Sequence, residues 1–173
     1  FVCKGSASTR IYTHGLQHAL PVSRRGRRKR EPWDGDKGMV ADMVGSFPFI
    51  DTEDQVAAYA EIAKDLASEK PMDRMLCGDV GFGKTEIAVR AAFHVVAGGG
   101  QVAVLVPTTI LAHQHETTFT TRLADFPVRV ESLSRYTTPQ DAQAILMGLA
   151  AGEVDIVVGT HRILSKDVRF HRL

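Results

Sequence analysis

The octapeptide GDVGFGKT, from Gly78 to Thr85, constrains the fold of this chain more than any other stretch. It has the spacing GxxxxGK followed by Ser or Thr, and it sits between an apolar strand-like segment and an amphipathic helix-like one. A loop of that kind joins a strand to a helix in α/β folds. Its glycines let backbone N–H groups curl around an anion, and the helix starting near Lys84 turns the positive end of its dipole toward that anion. In this reading Gly78, Asp79, Val80, Gly81, Phe82 and Gly83 form a phosphate cradle. Lys84 reaches the β- and γ-phosphates of a nucleotide, and the Thr85 hydroxyl ligates Mg2+. The competing reading is a chance glycine-rich turn, which leaves Gly81 and Gly83 hard to explain.

From Phe47 onward apolar periodicity alternates between helical and extended. Thr52 is placed to cap a helix through Val56, Tyr59, Ile62, Ala63 and Leu66, and Pro71 ends the break after it. A short strand is expected from Arg74 to Cys77, leading into the glycine loop. The next helix carries Ile87, Ala88, Ala91, Ala92 and Val95 and stops at the triplet Gly98 to Gly100. The run QVAVLVP, Gln101 to Pro107, reads as a strand buried in a parallel sheet, because it is apolar without interruption. A helix through Ile110, Leu111 and Phe119 follows, then a strand from Val128 to Leu133 and a helix from about Pro139 to Leu149. A strand from Val154 to Val158 closes the series. Alternation of this kind predicts a mostly parallel sheet with helices on both faces and ligand loops at the carboxyl ends of the strands.

The 46 residues before Phe47 have a different character, rich in Gly, Ser and Arg, and read as a flexible tail or linker. They contain RRGRRKR, Arg24 to Arg30, which suits a nucleic-acid contact, a nuclear-type address or a solvated linker equally. The net charge of the 173 residues is only +1, so any attraction for a polyanion comes from local patches. Cys3 and Cys77 lie far apart, with Cys77 expected as a small packed residue beside the glycine loop, so a reducing compartment is the default. No apolar run approaches the roughly 20 residues that span a bilayer. The chain begins at Phe1 and closes on what reads as an unfinished unit, so it is expected to be a piece of a longer protein.

Several segments together go further than a phosphate loop: FPFIDTEDQ at 47 to 55, MDRMLCGDVGFGKTEIAVRAAF at 72 to 93, VLVPTTILAHQH at 104 to 115, FPVRVESLSR at 126 to 135 and DIVVGTHRILSKDVRF at 155 to 170. They resemble the first motor domain of superfamily 2 DNA translocases, in particular the bacterial transcription-repair coupling factors, with branch-migrating RecG-type helicases as near relatives. The resemblance covers residues 47 to 173 and leaves residues 1 to about 31 unmatched. It implies a RecA-like α/β domain, incomplete at its C-terminus, that uses ATP and Mg2+ and tracks double-stranded DNA. In the intact family it also implies RNA polymerase and excision-repair proteins as partners, a bacterial cytoplasmic or organellar setting, and no membrane.

The resemblance gives Gln55 the place of the family's adenine-reading glutamine, whose amide matches the donor and acceptor edge of adenine. Phe49 just before it is placed to pack on the base. Both roles compete with ordinary packing at a helix start. PTT, Pro107 to Thr109, and GTH, Gly159 to His161, match two family motifs that follow strands. The hydroxyls of Thr108, Thr109 and Thr160 are expected together and exposed at one sheet edge, where they would bond DNA phosphates without reading bases. Helix capping is the plainer reading of these threonines and is compatible with phosphate contact. Arg135 is a further candidate for the DNA backbone, with a surface ion pair as its alternative. His113, His115 and His161 do not form a metal set, since the first two diverge on a helix and no carboxylates complete it.

The family also has an acidic DExH segment and a second motor domain carrying an arginine finger, and neither occurs in these 173 residues. Positioning and charge stabilisation supply nearly all of phosphoryl-transfer catalysis, so the chain by itself is expected to bind nucleotide weakly and turn it over poorly. Two rivals stand beside the translocase reading. One is a RecG-type helicase and the other a nucleotide-binding remnant without catalysis. A P-loop enzyme of another kind, such as a kinase, is opposed by the paired PTT and GTH segments.

Overall fold

The computed structural model describes residues 30–173, so Cys3 and the basic run from Arg24 to Lys29 lie outside the described residues. The chain divides into two compact units, one ending at His94 and the other running from Val95 to Leu173.

The first unit is helical. Helix α1, Lys37–Gly45, starts where the Asp36 carboxylate accepts hydrogen bonds from the Gly38 and Met39 amides, and it buries Met43 completely. It falls inside the stretch expected to lack regular structure, and residues 37–45 correct that expectation. Met39, Val40, Met43 and Val44 do repeat at helical spacing, but Gly38 and Gly45 dilute the pattern. Helix α2, Glu53–Leu66, opens on the expected Thr52 cap, strengthened into a reciprocal capping box by the Gln55 side chain. Its Ile62 and Leu66 are buried, as the apolar spacing requires.

The carboxyl end of α2 is closed by Arg30. Its guanidinium donates to the carbonyls of Asp65 (2.9 Å) and Leu66 (2.7 Å), and its Nε donates to Lys70 O (3.3 Å). The last residue of the basic run is thus a cation at a helix C-terminus, where the dipole favours it. Burial lowers the Arg30 pKa, against the opposing field of Asp65. Arg30→Ala is expected to lower unfolding free energy by roughly 1–2 kcal/mol, measurable by urea denaturation, because charged hydrogen bonds to two terminal carbonyls are lost.

Residues 74–77 are not a strand among the described residues. Strand character needs a hydrogen-bonded neighbour, and no backbone hydrogen bond is made by this segment there. Arg74 instead reaches back to the carboxylates of Glu61 and Asp65 on α2, and Leu76 is buried. Helix α3, Lys84–Ala97, follows the glycine loop and buries Ile87, Val89, Arg90, Ala92 and Phe93.

The second unit holds the sheet. Strand β1, Val102–Leu105, is followed by α4, Thr109–Arg122, then β2, Val130–Leu133, α5, Pro139–Ala151, β3, Ile156–Gly159, and a 3-10 turn, His161–Leu164. The order is β1-β3-β2 and both pairings are parallel, with Leu105 and Leu133 each in register with Gly159. All three strands therefore end at one edge. Ile156, Val157 and Val158 alternate between the two faces of β3 yet are all fully buried, so both faces of the central strand are covered. Val157, Leu133, Ile145, Leu149, Val154 and Ile163 form one core cluster, joined by Ala103 and Phe170. Each such aliphatic side chain contributes about 1.5–3 kcal/mol by leaving water.

The position of β1 differs from expectation. It pairs with β3 alone among the described residues, its side chains are only half-buried, and Leu105 is 52% exposed. An unbroken apolar run suits a central strand, but the strand order puts β3 there instead. Helix α5 ends at Gly152, whose φ of 78° is the left-handed conformation that glycine adopts without cost. No helix among the described residues is long and apolar enough to cross a membrane.

Candidate functional site

Two groups of the residues singled out above are brought together, one in each unit. In the first, the glycine loop turns on Gly81 and Gly83, with φ of 88° and 70°. Lys84 Nζ donates into the loop, to the carbonyl of Gly78 (2.6 Å) and to that of Asp79. Its ammonium is thus held inside the turn, where the loop's own carbonyls stand in for acceptors. Val80 and Phe82 project outward, 98% and 62% exposed.

Gln55 lies against this loop. Its Oε1 accepts from the Thr52 amide (2.8 Å) while its Nε2 donates to Phe82 O (3.2 Å), so one side chain ties the start of α2 to the phosphate-type loop. A Cβ at Gly83 would lie 2.3 Å from that Nε2, which leaves room for glycine alone while the amide holds its place. Both plain and functional readings of Gln55 remain consistent with this, since the helix-start bond and the contact with the loop are made by the same amide. Phe49 is largely exposed and meets Phe47 edge-on at 5.4 Å.

A buried cation lies beneath the segment from Phe47 to Thr52, and the sequence reading passed over it. Arg90, on α3, is 1% exposed and donates from Nη1 and Nη2 to the two oxygens of Asp51 (2.8 and 2.9 Å), and from Nε to Glu86 (2.8 Å). The rings of Phe47 and Tyr59 flank the guanidinium at 4.9 and 6.0 Å. Burial alone lowers the Arg90 pKa, but the hydrogen bonds and charges of Asp51 and Glu86 outweigh it and the net direction is up. Burial pushes the Tyr59 phenol up, with Arg90 opposing. The available signal was a lone cation three residues from each of Ile87 and Phe93, on the buried face of its helix.

In the second unit, the parallel register sets the segments after β1, β2 and β3 along one sheet edge. Pro107 and Thr108 are exposed, and Thr108 Oγ1 caps α4 by accepting from the Leu111 amide at 3.2 Å. Thr109, the first residue of α4, is half-buried. Thr160 is only 6% exposed, which corrects the expectation that the three threonine hydroxyls stand open together. It follows directly on the central strand, whose end is enclosed on both sides. Gly159 is buried as well, and a Cβ there would meet Leu133 O at 2.3 Å, so interstrand packing already requires glycine. His161 is exposed at the start of the 3-10 turn. Arg162 next to it forms a forked pair with Asp167 (2.8 and 2.6 Å), a hydrogen bond that draws the Asp167 pKa down.

Arg135 is exposed and lies over the ring of Tyr136 at 5.0 Å, donating to its hydroxyl (3.1 Å). Tyr136 is 73% exposed, and the sequence reading did not single it out.

A glycine loop seating a lysine, followed by a helix, and a parallel sheet with polar loops along one edge are features of P-loop α/β domains. The family model described as DEAD/DEAH box helicase matches residues 52–173, and the chain belongs to that family. Among curated proteins it is similar to the transcription-repair-coupling factor of Bacillus subtilis, 52% identical over 138 residues that cover 80% of this chain and 12% of the relative. The coupling factor of Mycobacterium bovis is 49% identical over 155 residues, 88% of this chain and 13% of its own. That of Staphylococcus aureus is 54% identical over 127 residues, 73% and 11%. The chain thus spans about an eighth of the length of these relatives. Of solved structures, RecG bound to a three-way DNA junction matches 91% of this chain and 22% of its own, with a TM-score of 0.85 and 37% identity. The resemblance read from the motifs and the RecA-like α/β fold are both upheld by these findings.

Proposed function

We propose that this chain is the nucleotide-binding part of an ATP-dependent double-stranded DNA translocase acting in transcription-coupled repair, where the whole protein displaces stalled RNA polymerase and engages excision-repair proteins. The observation that carries the reading is the seating of Lys84 Nζ on the carbonyls of Gly78 and Asp79. A cation kept there, with the Gly81 and Gly83 turns around it, fits a triphosphate, whose oxygens are better acceptors than the carbonyls they would replace. In this reading Gly78 to Gly83 hold the phosphates with backbone amides, Lys84 pairs with the β- and γ-phosphates, and Gln55 takes the adenine edge. Thr85 would hold Mg2+, which when bound neutralises phosphate charge.

Pro107, Thr108, Thr109, Arg135, Gly159, Thr160 and His161 would follow the DNA backbone. For Gly159 and Thr160, which are buried, that contact is through backbone groups. Hydrolysis and stepping require residues beyond this segment, as the coupling-factor likeness implies. The soluble, bacterial-type setting follows the same likeness and is part of the proposal.

The test is titration of a fluorescent ATP analogue with Mg2+ onto the wild-type protein and Lys84→Ala. The variant is expected to bind about 100-fold more weakly, roughly 2.8 kcal/mol, with an unchanged circular dichroism spectrum. Equal affinity would remove the phosphate-loop reading. The likeness to RecG carries a second reading, a branch-migrating helicase. Remodelling of a three-way junction by the whole protein, with no ATP-driven movement on linear duplex, would favour it.

A further inference from the structure

We infer that Arg90 and Asp51 are positioning residues for the base-binding half of the nucleotide site, fixing the segment from Phe47 to Gln55 against the helix that carries Lys84. The inference rests on the nucleotide reading above and deepens it.

Arg90 stands six residues after Lys84 on α3. Asp51 stands immediately before the Thr52 cap of α2. The forked pair between them, at 2.8 and 2.9 Å, fixes both distance and orientation, since two parallel N–H···O bonds leave the carboxylate little freedom. Glu86, one turn back on the same helix, takes the Nε proton and fixes the guanidinium plane from the other side. Phe47 packs on that plane, so both ends of the Phe47 to Asp51 segment are held by the same buried cation. The residues between them are turned outward, with Phe49 72% and Ile50 96% exposed.

The consequence falls on the base and not on the phosphates. Lys84 and the loop amides belong to α3 and its approach, and the Gln55–Phe82 O bond is what joins them to the Asp51 segment. Phe49 precedes Asp51 and Gln55 follows it, and the Gln55 Nε2 must sit at the correct height to reach Phe82 O. Releasing Asp51 frees this segment while the phosphate loop stays in place. An exposed Phe49 and an amide held on the Thr52 cap next to the ion pair are preorganised groups, and preorganisation is lost as affinity for the part of the ligand they face.

Removing the buried Arg90 would leave two partly buried carboxylates side by side without their cation and threatens the fold, so the informative variant is Asp51→Asn, which keeps shape and one acceptor. Arg90→Lys, which keeps the charge and loses the fork, serves as the second. Binding of ATP and of inorganic tripolyphosphate, both with Mg2+, would be measured by calorimetry for each variant, for wild type and for Lys84→Ala. Asp51→Asn and Arg90→Lys are expected to weaken ATP about tenfold while tripolyphosphate changes less than about twofold. A purely structural role would weaken both ligands together, and that result, or no change in either, would overturn the inference. Lys84→Ala separates the two readings. Loss of both ligands there upholds the nucleotide site whatever Asp51→Asn does, whereas unchanged binding there removes the nucleotide site and this inference with it.

Discussion

Replacing Gln101 with alanine is expected to cost roughly 4 kcal/mol of unfolding free energy, read as a lowered urea midpoint, because it removes four hydrogen bonds worth about 1 kcal/mol each. Gln101 is 5% exposed and its amide is fully used. Nε2 donates to Leu149 O (3.0 Å) and Val154 O (2.7 Å), while Oε1 accepts from the amides of His171 (2.7 Å) and Arg172 (3.0 Å). Its backbone N–H donates to Arg172 O as well (2.7 Å). One side chain thus joins the start of β1, the end of α5, the entry to β3 and the segment after residue 170. Leu149 O keeps the Gly152 and His171 amides as donors, so the loss is that of four hydrogen bonds and not of four stranded groups. Gln101→Glu is expected to be no better, since it keeps the acceptors but loses both donors and buries a charge. A midpoint shift worth less than about 1 kcal/mol in Gln101→Ala would show that this junction is not holding the sheet.

Gly159→Ala is expected to cost about 3 kcal/mol, at the upper end of overpacking effects, because what it strikes is backbone. The added methyl group would lie 2.3 Å from Leu133 O and 2.6 Å from Ile163 Cγ2. A side chain such as Ile163 can turn aside. The Leu133 carbonyl cannot move without opening the β2–β3 ladder, in which Leu133 and Gly159 are partners. The melting temperature checks this directly, and an unaltered value would mean that the two strands are farther apart at this point. The result also bears on the GTH motif. Loss of DNA binding in Gly159→Ala, accompanied by a fall in melting temperature, would trace to the sheet and not to a lost phosphate contact.

Where structure is local, it was legible in the residues. Thr52 and Gln55 form the capping box that their spacing announces, the helices through Ile62, Ile87, Phe119 and Leu149 bury those residues, and the glycine loop turns where its glycines stand. What escaped depends on partners distant in sequence. An apolar run cannot say whether its strand lies inside a sheet or at the edge, and β1 is displaced from the centre by a strand some fifty residues later. Residues 74–77 have strand composition without a hydrogen-bonded neighbour among the described residues. Helix α1 was masked by two glycines, which weaken a helix without preventing it. The candidate site divides in the same way. The loop and Lys84 follow from spacing, whereas the Arg90 fork depends on a carboxylate thirty-nine residues away, and the burial of Thr160 depends on the strand order.

The strand order also governs how the second unit is made. β1 and β2 precede β3 in the chain, and among the described residues neither bonds the other while each bonds β3. Until Ile156–Gly159 emerges, β1 and β2 wait without a ladder to join, a delay typical of sheets built from distant segments. The bonds from Gln101 to the amides of His171 and Arg172 lengthen that wait by another dozen residues. During translation the residues from Val95 onward are therefore expected to expose unpaired strand edges until β3 has emerged. Synonymous codons that slow elongation just before β3 are expected to raise aggregation more than the same codons placed just before β1.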